Sequence, residues 1–295
     1  MRRWRYNADR VRDFPVVVPF DHETRRKRRH CPGPWHAAIA AFLFLALNSG
    51  SSAAPLPPPI DVRCRAEVAK AAFQPSLPAA RKALQETGRL TVVALGSSAT
   101  AGSGASADDK SYPAVLQAEL SRRLPGAQVR VVNKGVGGQS AYDMLLRMQA
   151  DVIDEKPAVV IWQTVINDAI RDIGEDKLAK ILRKGVGKAR AAGIEMILMD
   201  LPWLPREGRY PHYDDYRAVL AKTAQDQGIS LFPRYAMMKG WSNSRQFTPE
   251  ELVGMDGLHL VDAGYRCLAL RLADGIVAGI GSVRIEAAGG RKPTN

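Results

Sequence analysis

Long apolar runs are missing from this 295-residue chain. The longest, residues 37–47, has 11 residues, whereas a helix crossing a bilayer needs about 20. Cysteine is scarce, at three residues, which excludes a disulfide-dense scaffold. Histidine is scarce too, at five residues. His22, His30, His36 and His212 lie far apart with no ligand spacing, so no metal site and no cofactor is expected. No internal repeat is visible. The net charge of +12 invites a nucleic-acid partner, but over residues 55–295 no block of basic residues is interleaved with stacking aromatics. Residues 1–30 hold 10 Lys+Arg against 4 Asp+Glu, which is half of the excess. The rest of the chain is only modestly basic, and no nucleic-acid partner is expected.

What is present begins with an address. The basic run Arg25-Arg26-Lys27-Arg28-Arg29 precedes the apolar run 37–47, small residues at 49–54 and prolines at 55–59. Basic, apolar, then small is the order of a secretory signal. The expectation is a signal peptide or anchor over 1–54, a Pro-rich linker over 55–62, a catalytic-size domain over 63–280 and a tail over 281–295. The location is then periplasmic or secreted, with membrane contact only through an uncleaved N-terminal segment. Cys31 would leave with a signal. Cys64 and Cys267 remain, either as a disulfide pair or as two buried thiols.

From about Asp61 onward, strand-like and helix-like segments alternate. Short apolar runs at 91–95, 128–132, 158–162, 194–199 and 229–232 are bounded by Gly or Pro and suit buried strands. Helical spacing of apolar residues occupies 112–124, 141–153, 178–192, 213–227 and 262–277. The fold class is therefore α/β, a single doubly wound (flavodoxin-like) domain of about five parallel strands flanked by helices. In such sheets ligands bind beyond the carboxyl ends of the strands.

Chemistry-bearing residues sit at those ends. After the first strand comes Gly96-Ser97-Ser98-Ala99-Thr100-Ala101-Gly102-Ser103-Gly104. It lacks the Lys of a P-loop, and Gly102-x-Gly104 comes too late for a dinucleotide loop. A nucleophilic serine is the third reading, although Thr100 stands where a strict Gly-x-Ser-x-Gly elbow has its last Gly. Asn133-Lys134-Gly135-Val136-Gly137-Gly138 follows the second strand and Asn167-Asp168 the third. Asp256-Gly257-Leu258-His259 precedes the last helix. That spacing lets an imidazole reach a serine while the carboxylate orients it. Each segment alone has a plain structural reading as a turn or a cap, but four successive ones converge on one edge.

The set resembles the SGNH, or GDSL-type, hydrolase superfamily, in its bacterial Gly-Ser-Ser branch. The resemblance spans about residues 91–270 and is most specific at Asp256-Gly257-Leu258-His259. It implies Ser98 as nucleophile, His259 as base and Asp256 as its partner. It further implies an oxyanion hole from the N–H groups of Ser98 and Gly138 and the side-chain amide of Asn167. Two positions depart from the pattern. Ser97 replaces the usual Asp of the first block. Val165 stands two residues before Asn167 where Gly is usual, adding a branched side chain at the site floor.

A serine ester hydrolase working through an acyl-enzyme follows from those roles. The small-residue loops point to short acyl esters, including O-acetyl groups on carbohydrate or polysaccharide. A lipase or thioesterase for longer acyl chains is the alternative within enzymes. A non-catalytic envelope or glycan-binding protein is the alternative outside them. Trp203 and Tyr210, after the fourth strand, are candidate substrate-binding aromatics.

Overall fold

The structure, a computed structural model, describes residues 57–65, 73 and 75–282. The expected signal or anchor over 1–54 and the tail from 283 lie outside the described residues. Five strands form one sheet: β1 (Arg89–Gly96), β2 (Gln128–Gly135), β3 (Val159–Gln163), β4 (Glu195–Met199) and β5 (Ser230–Phe232). All pair in parallel, in the order β2-β1-β3-β4-β5. Eleven α-helices stand among the described residues: α1 (Ile60–Arg65), α2 (Pro78–Thr87), α3 (Ser98–Ala101), α4 (Tyr112–Arg123), α5 (Ala141–Met148), α6 (Ile166–Arg171), α7 (Glu175–Ala191), α8 (Tyr213–Gln227), α9 (Arg234–Asn243), α10 (Pro249–Leu252) and α11 (Asp262–Ile280). This is the doubly wound arrangement the alternating pattern predicts, and the chain reverses direction across the sheet between β1 and β3.

The side-chain period of two explains the two cores. On β1, Leu90, Val92 and Ala94 pack with residues of α2, α4 and α11. Val93 and Leu95 point the other way, into a second core with residues of α5, α7 and α8. The central strand β3 is buried along its whole length, whereas edge strand β2 is only partly covered. Helix α8 ends at Gly228, whose φ of 60° lets the chain turn back toward β5.

Helix α1 starts at Ile60, so the expected linker over 55–62 gives way to helix before its end. Its Cys64 is bonded to Cys267 of α11, 203 residues on, with a Cα–Cα distance of 4.9 Å. Of the two readings of these cysteines, the structure has the disulfide.

Candidate active site

Ser98 is the first residue of α3, immediately beyond the end of β1. The turn that presents it is held from below by Gln163, the last residue of β3. The Gln163 carboxamide oxygen accepts from the Ser97 N–H at 3.0 Å, the Ser97 hydroxyl at 3.2 Å and the Thr100 hydroxyl at 2.9 Å. All three residues are buried, where an unpaired polar group costs about 1–3 kcal/mol. The loop's polar groups are thus satisfied by the sheet, and Ser98 alone of the pair Ser97-Ser98 is turned outward.

His259 approaches from the other end of the domain. Its Nε2 lies 2.8 Å from Ser98 Oγ, and its Nδ1 lies 2.6 Å from Asp256 Oδ2. The other Asp256 oxygen accepts the backbone N–H groups of Leu258 at 2.9 Å and His259 at 3.0 Å. Partial burial pushes the Asp256 carboxyl up, but the imidazole and those two N–H groups outweigh it and hold it below the ordinary carboxylate value. The segment is a small hairpin. Val253 and Leu260 form an antiparallel bridge, and the Gly254 N–H donates to the His259 carbonyl at 2.8 Å. Gly104, at φ +90°, lets the nucleophile loop touch this hairpin, because a Cβ there would lie 2.3 Å from the Leu260 carbonyl.

Of the expected oxyanion donors, Asn167 lines the same cleft as Ser98 and His259, and Gly138 does not line it. Asn167 lies in the first turn of α6, and its Nδ2 donates to the Gln139 carbonyl at 2.8 Å. An amide nitrogen carries two hydrogens, so a second N–H is available to a ligand. Gly138, at φ +74°, is tied down by Arg171, which donates to its carbonyl at 2.8 Å. The neighbouring Asp168 is buried and accepts the Ala141 N–H at 2.9 Å, joining the β2 loop to α6. Burial drives the Asp168 carboxyl above its ordinary value despite that bond.

Val165 occupies the turn into α6 with φ +79° and is buried. This is a conformation a β-branched residue rarely adopts. Val165 therefore makes the turn that Gly would make, and Asn167 still reaches the Gln139 loop.

Ser98, Ala99, Gln163, Ile166, Asn167, Pro202, Arg234, Leu258 and His259 line one narrow cleft. Trp203 and Tyr210 do not line it. Trp203 packs at the border of both cores, and Tyr210 stacks on Tyr213 at 6.0 Å between ring centroids. Gln163 and Arg234 escape sequence reasoning. Gln163 was visible only as a polar residue closing an apolar run. Arg234 follows Pro233 with no motif around it.

The model of the Non-GDSL lipase-like family matches residues 63–282. The chain belongs to this family. Its name agrees with the first block, where Ser97 replaces the Asp of a Gly-Asp-Ser sequence. Esterase TesA of Pseudomonas aeruginosa is 29% identical over 150 residues, covering 50% of this chain and 72% of that protein. A putative lipolytic protein of the G-D-S-L family from Desulfitobacterium hafniense superposes with a TM-score of 0.52. It is 25% identical and covers 63% of this chain and 98% of the other. An acetyl xylan esterase, AlAXEase, superposes with a TM-score of 0.56 at 22% identity, over 64% of this chain and all of the other (100%). The last likeness shows a shared fold. Together these findings make the Non-GDSL lipase-like chain an esterase/lipase-type hydrolase of the SGNH superfamily.

Proposed function

We propose that the protein is a serine ester hydrolase that acts through an acyl-enzyme on short-chain esters, O-acetyl groups of carbohydrate or polysaccharide included. The observation that carries this is the continuous chain from Asp256 to His259 to Ser98, with contacts of 2.6 and 2.8 Å. His259 takes the Ser98 proton as Ser98 Oγ bonds to the ester carbonyl carbon. The carbonyl oxygen, now negative, is met by the N–H groups of Ser98 and Gly138 and by the second N–H of Asn167. One such donor is worth about 3 kcal/mol in the transition state. Collapse breaks the bond to the leaving alcohol, which receives its proton from His259. Water then attacks the acyl-enzyme by the same route and restores Ser98. Asp256 keeps its charge throughout, since its partners favour the ionised form.

The cleft is narrow, with free room of about 10 Å³, and this favours an acyl group of a few carbons over a long chain. The longer-chain reading has its own observation: Val136, Tyr142, Leu146 and Ile170 are exposed apolar residues on the β2 loop, α5 and α6 beside the site. Chain length in a series of p-nitrophenyl esters separates the two, with activity expected to peak at acetyl or butyryl. The disulfide favours an oxidising compartment, hence a periplasmic or secreted location.

A fluorophosphonate probe should label Ser98 and no other residue, mapped by mass spectrometry. Ser98→Ala should lose at least about a thousandfold in kcat/KM. Labelling of Ser97 or Ser103 instead, or full activity in Ser98→Ala, would sink the assignment.

A further inference from the structure

Arg234 opens α9 beneath the cleft that holds Ser98, Asn167 and His259, and it is 2% exposed. A guanidinium stays charged in any protein environment, and burying one without partners is costly. A buried arginine is therefore ordinarily met by carboxylates. This one is not. The carboxylate that shares its surroundings, Asp200, is engaged by Arg217 at 3.1 and 3.3 Å and by the Leu201 N–H at 2.8 Å.

Three tyrosines also share those surroundings, and each hydroxyl has another partner. Tyr112 bonds to Thr100 at 3.1 Å, Tyr213 to the Pro202 carbonyl at 2.6 Å and Tyr265 to the Ser103 carbonyl at 2.6 Å. For Arg234 itself, Nη1 reaches only the Met199 sulfur, at 4.0 Å, and Nε has no hydrogen-bond partner among the described residues. A thioether is a weak acceptor. The result is a fixed, full positive charge in the wall of the cleft with most of its donors unspent.

We propose that Arg234 is a specificity-determining residue that binds a carboxylate at the far end of the acyl group, so that the protein takes half-esters of short dicarboxylic acids. The inference rests on Ser98 being the nucleophile. The cleft gives the direction. Ala99, Ile166, Asn167 and Pro202 line the cleft together with Ser98 and Arg234, whereas the half-exposed Asp256 stands outside it. An acyl chain joined to Ser98 and lying in this cleft meets Arg234 in its wall. A guanidinium there offers paired N–H groups to a carboxylate, the geometry in which arginine discriminates best.

The test compares mono-4-nitrophenyl succinate with 4-nitrophenyl butyrate, which matches it in chain length without the charge. Wild type should prefer the succinate in kcat/KM, and Arg234→Met should lower that preference by about tenfold or more. Arg234→Lys should keep part of it. An unchanged preference in folded Arg234→Met overturns the proposal. If Arg234→Met does not fold, a butyrate preference in wild type overturns it equally. A second arm does not depend on turnover: calorimetry of free succinate with Ser98→Ala protein. Binding that vanishes on adding Arg234→Met supports the anchor, and no binding overturns it. Failure of all ester hydrolysis, with succinate still bound, would remove the serine hydrolase reading and leave the anion site standing.

Discussion

Val165 shows how one backbone angle ranks side chains. At φ +79° an L-residue is strained, by about 1–2 kcal/mol in the left-handed region. The buried side chain returns roughly 1.5–3 kcal/mol by leaving water, which is why the position tolerates Val at all. Removing the side chain isolates the strain. In ordinary helix or strand positions Gly is less stable than Ala by about 0.5–1 kcal/mol. Here the order should invert: Val165→Gly should be more stable than Val165→Ala, by about 1 kcal/mol in urea unfolding. Ala above Gly would mean that the angle is not strained. Gln163 makes the complementary point. Its oxygen takes three donors from one turn, so the serine's placement depends on a residue 66 positions away. Nothing local to the Gly96–Gly104 stretch could reveal that partner.

The elements around the site are held at backbone contact distance. Gly135 closes β2 against α3 so tightly that a Cβ would sit 2.1 Å from the Ala101 nitrogen, backbone that has no room to move aside. Gly135→Ala should therefore displace α3, which begins at Ser98, or the Gly138 loop. A shift of about 1 Å at such a site costs on the order of a hundredfold in rate. We expect that loss in kcat/KM on p-nitrophenyl acetate, with a melting temperature lowered by only a few degrees. Unchanged activity would show that β2 and α3 can separate freely. At this scale the sequence was legible where periodicity was strong. The expected helix 213–227 is α8 as observed, and α4 is the expected 112–124 less its last residue. The expected helix 141–153 instead leaves α-helical geometry after Met148 for a π-turn over Gln149–Ile153. No Gly or Pro there announces the change. Helix α9 escapes the periodicity because its buried face mixes Arg, Tyr, Met and Trp rather than repeating one apolar stripe, and α10, at 4 residues, is too short to show any.

Across the whole molecule, the order β2-β1-β3-β4-β5 follows from the alternation of strand and helix. Three of the four motif segments lie at ends of β1, β2 and β3, as parallel strands require. The fourth had to be brought in by a hairpin, and its spacing made it the most readable of all. Arg234 was not readable, because its meaning depends on who fails to pair with it. The disulfide is the long-range clamp. Cys64 and Cys267 are both buried, so a reductant reaches them only on unfolding. Closing a loop of 203 residues should stabilise the fold by about 2–5 kcal/mol. Cys267→Ala should lower the urea midpoint accordingly, while dithiothreitol leaves the native wild type unchanged over hours. Rapid native-state reduction would contradict a buried bond.

The separation of Ser98 from His259 also has a meaning in time. The two are 161 residues apart, and Cys267 lies on the helix that His259 leads into. A chain emerging N-terminus first presents Ser98 and all five strands before His259 or Cys267. On the serine hydrolase reading proposed above, chemistry waits for His259 and the crosslink for Cys267 on α11, so the incomplete chain stays chemically silent and competence arrives nearly together with the covalent seal.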